Sequence, residues 1–439
     1  MTNTQLAAHP AEVIAVRPGQ PLSGAVKVDG SKNAALPLLA AAAALHRPVR
    51  LQNVPSSTDV QTMITLMHQA GWRVDHVVGE AESVDILPGD TALPLPDLNG
   101  AARIRASYYL VPALLGSYGR ARLPWPGGCQ IGERGMEQHF RVYGAFGDRV
   151  VVDDSGYAVE ARKSAAGTVS HVLPFRSRGA TVAAVLRAMI AGQPLRLGQP
   201  NLSAEVISLL EALRSADWKS RASDRLLALS PPSTVTHEPV TWTVPGDRIE
   251  AGTLACAMAT TGGAGRIDGV RAEDIAPLVA ALRSLGIHAS AEADSLTVQA
   301  QDARLTGRSL RAIASLSPDG LDADFEPPLM ALALGLPGTH FFADTINPGR
   351  HGNLLPHLGR LGAVIDEISP THCRLTGPQR LTGAGVEATD IRTGSALLIA
   401  GLTARGVTTL GGLKQLRRGH ADLPGKLHTL GADICEVTP

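Results

Sequence analysis

The sequence predicts an α/β fold assembled as two similar halves, each made of three units. Three observations carry this. One pattern recurs six times: an amphipathic helix, a small residue at its end, then a strand and usually a second strand. It reads ITLMHQAGWRVD, FRVYGAFGDRVVV, LLEALRSADWKSR, LVAALRSLGIHAS, LPHLGRLGAVIDE and KLHTLGADICEV, with the small residue at Gly71, Gly147, Ala216, Gly286, Gly362 and Gly431. The spacing is regular as well: Gly71 to Gly286, Gly147 to Gly362 and Ala216 to Gly431 are each 215 residues apart. Finally, every unit holds another helix that is rich in Ala and Leu on most faces, as a helix buried inside a domain must be.

Taken in order, the chain opens with the strand-like EVIAVRPGQPLSGAVKV, which resembles the strand that should lead into the fourth unit. It is therefore expected to cross over and complete the second half. Gly30 ends a strand, and Ser31-Lys32-Asn33 cap and open the first apolar helix, Ser31–Leu45, followed by the strand PVRLQNV. The corresponding helices are Ala106–Tyr118, Ala180–Ile190, Gly252–Thr260, Pro328–Leu336 and Gly394–Leu402, the last followed by the strand VTTLGGL. The Pro- and Thr-rich stretch Pro231–Pro245 joins the halves, which places one domain at residues 30–243 and the other at 1–29 plus 244–439. Helices inside sheets, or ordinary layers, would both satisfy these pieces, and the pattern alone does not choose.

Composition narrows the function. The 439 residues carry 40 basic and 40 acidic side chains, 44% apolar residues and 3% aromatics. Zero net charge and few stacking rings argue against a nucleic-acid partner. Four cysteines (Cys129, Cys256, Cys373, Cys435) include no CxxC pair, so neither a disulfide framework nor a zinc site is expected, and no metal cluster is evident. Cys256, Cys373 and Cys435 lie in apolar contexts that read as core. No basic-then-apolar leader opens the chain, and the longest apolar run, Ala34–Leu45, is too short to span a bilayer. A soluble cytoplasmic protein is expected, monomeric or weakly oligomeric, acting on small molecules without a membrane partner. The segment TGGAGRIDG lacks the spacing of a dinucleotide- or phosphate-binding loop and reads as a turn.

Charged residues stand where the apolar helices begin. Lys32 and Asn33 open the first, Arg105 precedes the second, Asp324 the fifth, and Arg392 the sixth. A helix N-terminus offers free N–H groups and positive potential, which suits anions. A lysine there is unfavourable to the dipole, so Lys32 either reaches solvent or serves an anion. In RARLPWPGGCQIGERG, Cys129 follows two glycines on a close-approach loop. Arg120, Arg122 and Arg134 would lower its thiol pKa if they are near in space. An unreactive turn cysteine is the alternative. Likewise Asp324 could be a helix cap, and Arg392 could pair with Asp390.

SKNAALP, IRAS, PGGCQIGER, GDRIEAGT, ATDIR and RRGH, in this order, resemble segments of the UDP-N-acetylglucosamine enolpyruvyl transferases, relatives of the shikimate-3-phosphate enolpyruvyl transferases. The resemblance spans essentially the whole chain, and PGGC with SKN points to the first branch. It implies two inside-out α/β-barrel-like domains, each of three repeats with helices inside and sheets outside, and an active site in the cleft between them. The implied reaction moves the enolpyruvyl group of phosphoenolpyruvate to a hydroxyl, releasing phosphate, without a cofactor. It also implies roles. Lys32, Arg134 and Arg418 would bind phosphoenolpyruvate; Arg105, Arg350 and Arg392 would be further cleft arginines; Asn33 would contact the acceptor. Cys129 would be the acid at the methylene carbon and Asp324 the base at the acceptor hydroxyl, the two groups that addition–elimination needs. Guanidinium groups suit a donor that carries both phosphate and carboxylate.

Departures from that family lie in the acceptor-facing loops. Lys-Val-Ser-Val-Gly becomes Phe175-Arg176-Ser177-Arg178-Gly179, and Pro-Val-Asp after Arg134 becomes Gly135-Met136-Glu137. Glu-Asn-Arg-Phe becomes Pro348-Gly349-Arg350-His351, Arg-Gly-Tyr-Glu becomes Arg418-Gly419-His420-Ala421, and Thr-Asp-Met-Gln becomes Ala323-Asp324-Phe325-Glu326. The donor set is retained while the acceptor loops are rewritten. Similar enzymes of nikkomycin- and polyoxin-type pathways use the 3′-hydroxyl of UMP, and Arg176 and Arg178 would suit its terminal phosphate. The expectation is a uridine nucleotide acceptor, favoured as UMP. The alternatives are UDP-N-acetylglucosamine in cell-wall synthesis and a relative that binds nucleotide without catalysis.

Overall fold

Helices that are apolar all round must be covered on every side, and this chain covers them with its own sheets. A computed structural model of the chain describes residues 13–80, 82–89, 98–128, 131–132, 134–162, 167–234, 236–301, 303, 305–317 and 319–437. Its helices are α1 (Lys32–Leu45), α2 (Thr58–Gln69), α3 (Leu110–Tyr118), α4 (Glu137–Ala145), α5 (Arg178–Ala191), α6 (Ala204–Ser215) and α7 (Arg248–Thr260). They continue as α8 (Ala272–Ser284), α9 (Glu326–Ala333), α10 (Arg350–Arg360), α11 (Ile391–Gly401), α12 (Leu413–Leu416) and α13 (Leu423–Thr429). Helices α1, α3 and α5 pack on one another, as do α7, α9 and α11. α1 buries twelve of its fourteen residues, which is possible only for an interior helix.

Among the described residues six sheets surround these triads, five of four strands and one of three. Each sheet serves one unit. The fold is thus the mixed α/β, inside-out arrangement of two three-unit halves, and ordinary layers are excluded. The opening strand Val13–Arg17 pairs antiparallel with Thr408–Gly411 and Asp433–Val437, and Ser23–Lys27 pairs parallel with Ala264–Asp268. The N-terminal strands therefore complete sheets of the second half. Conversely, Val240–Thr243 pairs parallel with Val49–Gln52 in the first half. The apolar core divides the same way: one cluster runs from Ala34 to Val244, the other joins Ile14, Val16, Leu22 and Val28 to residues from Ile249 to Ile434.

Local differences from the sequence reading have physical causes. α7 begins at Arg248 rather than Gly252, because Asp247 caps it, accepting from the N–H groups of Ile249 and Glu250. The second apolar helix is a 3₁₀ turn over Arg105–Tyr109 before it becomes α3. Gly71, Gly147, Gly286, Gly362 and Gly431 all have φ between 84° and 100°, the left-handed turn after an amphipathic helix. In the third unit the left-handed residue is Asp217 (φ 67°) and not Ala216, so the equivalent spacing there is one residue shorter. Cys435 is exposed, not core. In its strand Ile434 turns inward and Cys435 outward, while Cys256 and Cys373 are buried.

Candidate active site

The helices buried inside the two halves turn their first residues toward one cavity of about 710 Å³. From the first half come Lys32 and Asn33 at the start of α1, Arg105 in the turn before α3, and Arg176, Ser177, Arg178 and Gly179 opening α5. From the second come Asp324 in the 3₁₀ turn before α9, Arg350 opening α10, Arg392 opening α11, and Arg418 after α12. Arg134 lines the cavity too. Cys129 lies outside the described residues, between Gly128 and Ile131, which both line the cavity.

Lys32 neither reaches solvent nor stands alone. It is 8% exposed, and its Nζ is 3.1 Å from Oδ2 of Asp59 on α2. The other oxygen, Oδ1, accepts from Nε of Arg418 at 2.9 Å. One carboxylate thus joins a cation from each half. Arg105 holds the segment around Arg134 by its backbone, its Nη2 donating to the carbonyls of Arg134 and Gly135. Downstream of Cys129, the N–H of Gly349 donates to the carbonyl of Ile131 at 3.1 Å, across the halves. A side chain at Gly132 (φ 115°) would press on Pro348, so glycine is required for that approach.

Asp324 is held by two guanidinium groups. Oδ1 accepts from Nη2 of Arg350 at 2.8 Å and Oδ2 from Nη2 of Arg392 at 3.3 Å. Burial alone would raise its pKa, but Arg392 and Arg350 together hold it well below the usual carboxylate range. Arg350 also binds Asp344 at 3.1 Å. Arg392 donates Nη1 to Nε2 of His420 at 2.9 Å. Burial, then Arg392, keeps that imidazole well below its usual pKa, so it accepts as a neutral ring. Asp390 does not pair with the Arg392 side chain. It caps α11 instead, accepting from the N–H groups of Arg392 and Thr393. Asp324 is not a cap either: that role belongs to Asp322, whose Oδ1 accepts from the Asp324 N–H at 2.8 Å.

At the α5 end, Ser177 Oγ accepts from the Ala180 N–H at 3.3 Å, a true N-cap. Arg176 is 2.6 Å from Asp224 Oδ1. Arg178 lies in a mixed cluster with Asp322, Glu205 and Arg248. Burial would raise the Glu205 pKa, yet Arg178 and Arg248 bring it down to about 2. A Cβ on Gly179 would sit 2.5 Å from His139 Nε2 and Tyr108 Oη, so the helix start packs directly on those rings. Gln138 and His139 are buried and line the cavity, and both amide atoms of Gln138 are without a hydrogen-bond partner among the described residues. Such groups are costly unless a ligand or water satisfies them. Burial, then Arg105, pushes His139 down to about 3, so it is neutral.

Sequence reasoning missed Asp59, Asp322, Glu205, Arg248, Gln138 and His139. Asp59 carried a usable signal: an acid in the first turn of an amphipathic helix, beside a lysine-initiated one. The others act through contacts between segments far apart in the chain. No group of side chains able to hold a metal ion is found among the described residues, and no helix there is long and apolar enough to cross a membrane. Chemically, the cavity combines a ring of cations for a multiply charged anion with carboxylates, of which Asp324 is held ionised between two guanidinium groups.

The family model described as EPSP synthase (3-phosphoshikimate 1-carboxyvinyltransferase) matches residues 16–427. The UDP-N-acetylglucosamine 1-carboxyvinyltransferase 3 of Symbiobacterium thermophilum is 33% identical over 436 residues, covering 95% of this chain and 96% of that protein. The UDP-N-acetylglucosamine 1-carboxyvinyltransferase 1 of Halalkalibacterium halodurans is also 33% identical, over 433 residues, covering 97% and 94%. Among solved structures, the enolpyruvyl transferase NikO from Streptomyces tendae superposes with a TM-score of 0.84 at 27% identity, covering 98% of this chain and 100% of that one. An EPSP synthase from Acinetobacter baumannii gives a TM-score of 0.74 at 14% identity over 97% of this chain and 100% of its own, a likeness of fold alone.

Proposed function

The chain belongs to the EPSP synthase family and is an enolpyruvyl transferase, and from that premise we propose that its acceptor is a uridine nucleotide, UMP. The carrying observation is that Arg176, Ser177 and Arg178 at the start of α5 open on the same cavity as Lys32, Arg134, Arg418 and Asp324. Two guanidinium groups and a helix N-terminus suit a terminal phosphate dianion, which carries more charge than a phosphate within a diphosphate bridge. Phosphoenolpyruvate is bound by Lys32, Arg134 and Arg418, with Arg105 fixing the segment that presents Arg134. Asn33 contacts the acceptor. Gln138, beside the His139 ring, offers the unsatisfied donor and acceptor that a base or ribose would meet.

The reaction proceeds by addition and elimination. The 3′-oxygen of the acceptor attacks C2 of phosphoenolpyruvate while its proton passes to Asp324, and C3 takes a proton from Cys129. A proton of C3 then returns to the Cys129 thiolate and restores the double bond as the C2–O bond to phosphate breaks, and the proton held by Asp324 leaves with the phosphate. Arg350 and Arg392 hold Asp324 ionised and aimed. Phosphate release from phosphoenolpyruvate, measured with UMP and with UDP-N-acetylglucosamine side by side, tests the acceptor. Turnover with UMP is expected. The names of the relatives at 33% identity favour the sugar nucleotide as second reading, and turnover with it alone would replace UMP.

A further inference from the structure

Asp322 lies two residues before Asp324 and makes three contacts in different directions. Its Oδ1 accepts from the Asp324 N–H at 2.8 Å, closing the turn that carries Asp324. Its Oδ2 accepts from Nη2 of Arg248 at 2.6 Å and from Nη2 of Arg178 at 3.2 Å. Arg248 belongs to the same half as Asp322. It also lies over the ring of Phe325, 5.6 Å from its centroid, so it grips the turn on both sides of Asp324. Arg178 belongs to the other half and is the first residue of α5.

The four side chains differ in access. The side chains of Arg248 and Glu205 are 8% and 3% exposed, and that of Arg178 is 30% exposed, so Arg178 is the member of the two guanidinium groups that a ligand can reach. Its Nε donates to Ser203 Oγ at 3.1 Å and its Nη2 faces Asp322 and Glu205. Among the described residues its Nη1 has no hydrogen-bond partner. A planar guanidinium gripped on one edge presents the other edge in a fixed orientation. An anion on that edge can therefore share Arg178 with Asp322 without displacing it. Two carboxylates and two guanidinium groups also leave the cluster neutral, so loss of any one member leaves a charge uncompensated.

We propose that Asp322 is a positioning residue that links the nucleotide-phosphate end of α5, through Arg178, to the placement of Asp324 at the acceptor hydroxyl. This rests on the reading of the cavity as an enolpyruvyl-transfer site with the acceptor phosphate at α5. Asp322 touches no reacting atom; it acts through the turn.

The test is a cycle of Asp322→Asn and Arg178→Gln, singly and together, with phosphate release read against UMP and against phosphoenolpyruvate. Asparagine keeps an oxygen for the Asp324 N–H and removes only the charge facing the arginines. In the otherwise unchanged enzyme Asp322→Asn should lower kcat about tenfold or more, since small misplacements of a catalytic group carry losses of that order. The KM for phosphoenolpyruvate should stay within about threefold, and Asp322→Glu should restore part of kcat. In the Arg178→Gln background the same change should cost clearly less than in the otherwise unchanged enzyme, because only the Arg248 contact is then left to lose. Losses that multiply in the double variant would overturn the proposal. So would a wild-type kcat in Asp322→Asn, or an equal rise in the KM for phosphoenolpyruvate, which would mark general damage to the cleft. If the wild type turns over only UDP-N-acetylglucosamine, the UMP reading fails while the same ratios, read with that acceptor, still decide on Asp322. No turnover of the wild type with either nucleotide would overturn both.

Discussion

Replacing Asp324 with asparagine separates the ionic partnership that the structure shows from the role of base proposed for it. In the structure its carboxylate neutralises Arg350 and Arg392, whose side chains are 2% and 6% exposed. After the change Arg350 keeps Asp344, but Arg392 keeps only neutral His420, so one buried cation loses its carboxylate. Breaking a buried pair costs about 3–5 kcal/mol; the carboxylate is 19% exposed and an amide can still accept, which brings the expected cost to about 2–3 kcal/mol. For a domain of this size that is a fall of roughly 5–10 °C in melting temperature. Because the folded-state pKa of Asp324 is depressed, its stabilisation is complete above the unfolded carboxylate pKa and is lost as pH falls below it. The gap between wild type and variant should therefore be constant from pH 5 to 8 and shrink in stronger acid. Removal of a general base should in addition lower kcat about 10²–10⁴-fold, measured as phosphate release with saturating UMP and phosphoenolpyruvate. A variant that melts lower yet keeps more than a tenth of the wild-type kcat would refute the assignment of the base.

Other consequences are equally direct. Arg418→Ala removes a guanidinium proposed to bind phosphoenolpyruvate, a charged contact worth about 1.5–3 kcal/mol, so kcat/KM for phosphoenolpyruvate should fall about 10- to 100-fold, with part restored by lysine; steady-state kinetics checks this. An epoxide phosphonate that mimics the donor should alkylate Cys129 in the presence of nucleotide, seen as one added mass on a peptide that is unlabelled in Cys129→Ser. Cys256 and Cys373 should stay unlabelled, since burial raises both thiol pKa values. His139 remains neutral when folded, with a pKa of about 3, so its contribution to stability is present above the unfolded value and is lost as pH falls below it. His139→Asn should therefore gain on wild type by up to about 2 kcal/mol between pH 7 and pH 5, and parallel melting curves would exclude this.

How much could be read in advance depended on whether a residue's partner was local. Helix periodicity and the left-handed glycines are local, so the six units and their doubling were visible from Gly71 and its equivalents; the exception, Asp217, was hidden because aspartate tolerates that conformation without advertising it. The crossed-over strand Val13–Arg17 was visible only through internal repetition. The cavity-lining residues, from Lys32 to Arg418, were marked by their place at helix starts and by family resemblance. Their partners were not. Asp59 is 359 residues from Arg418, and Asp322 is 144 from Arg178, and no pattern of neighbours reports such pairs.

Those hidden partners explain how a chain of zero net charge can present so cationic a cleft. A buried guanidinium or ammonium without a counter-charge would destabilise the fold, so each must be balanced before any substrate arrives. Asp59 does this for Lys32 and Arg418, Asp324 for Arg350 and Arg392, and Asp322 with Glu205 for Arg178 and Arg248. Two of these three balances, at Asp59 and at Asp322, span the halves. The same carboxylates that make the cations tolerable also tie the two halves together, so the balance of charge and the junction of the halves rest on the same contacts. On the proposed reading an incoming phosphate has only to share cations that are already aimed, and the ordering cost is met by the fold.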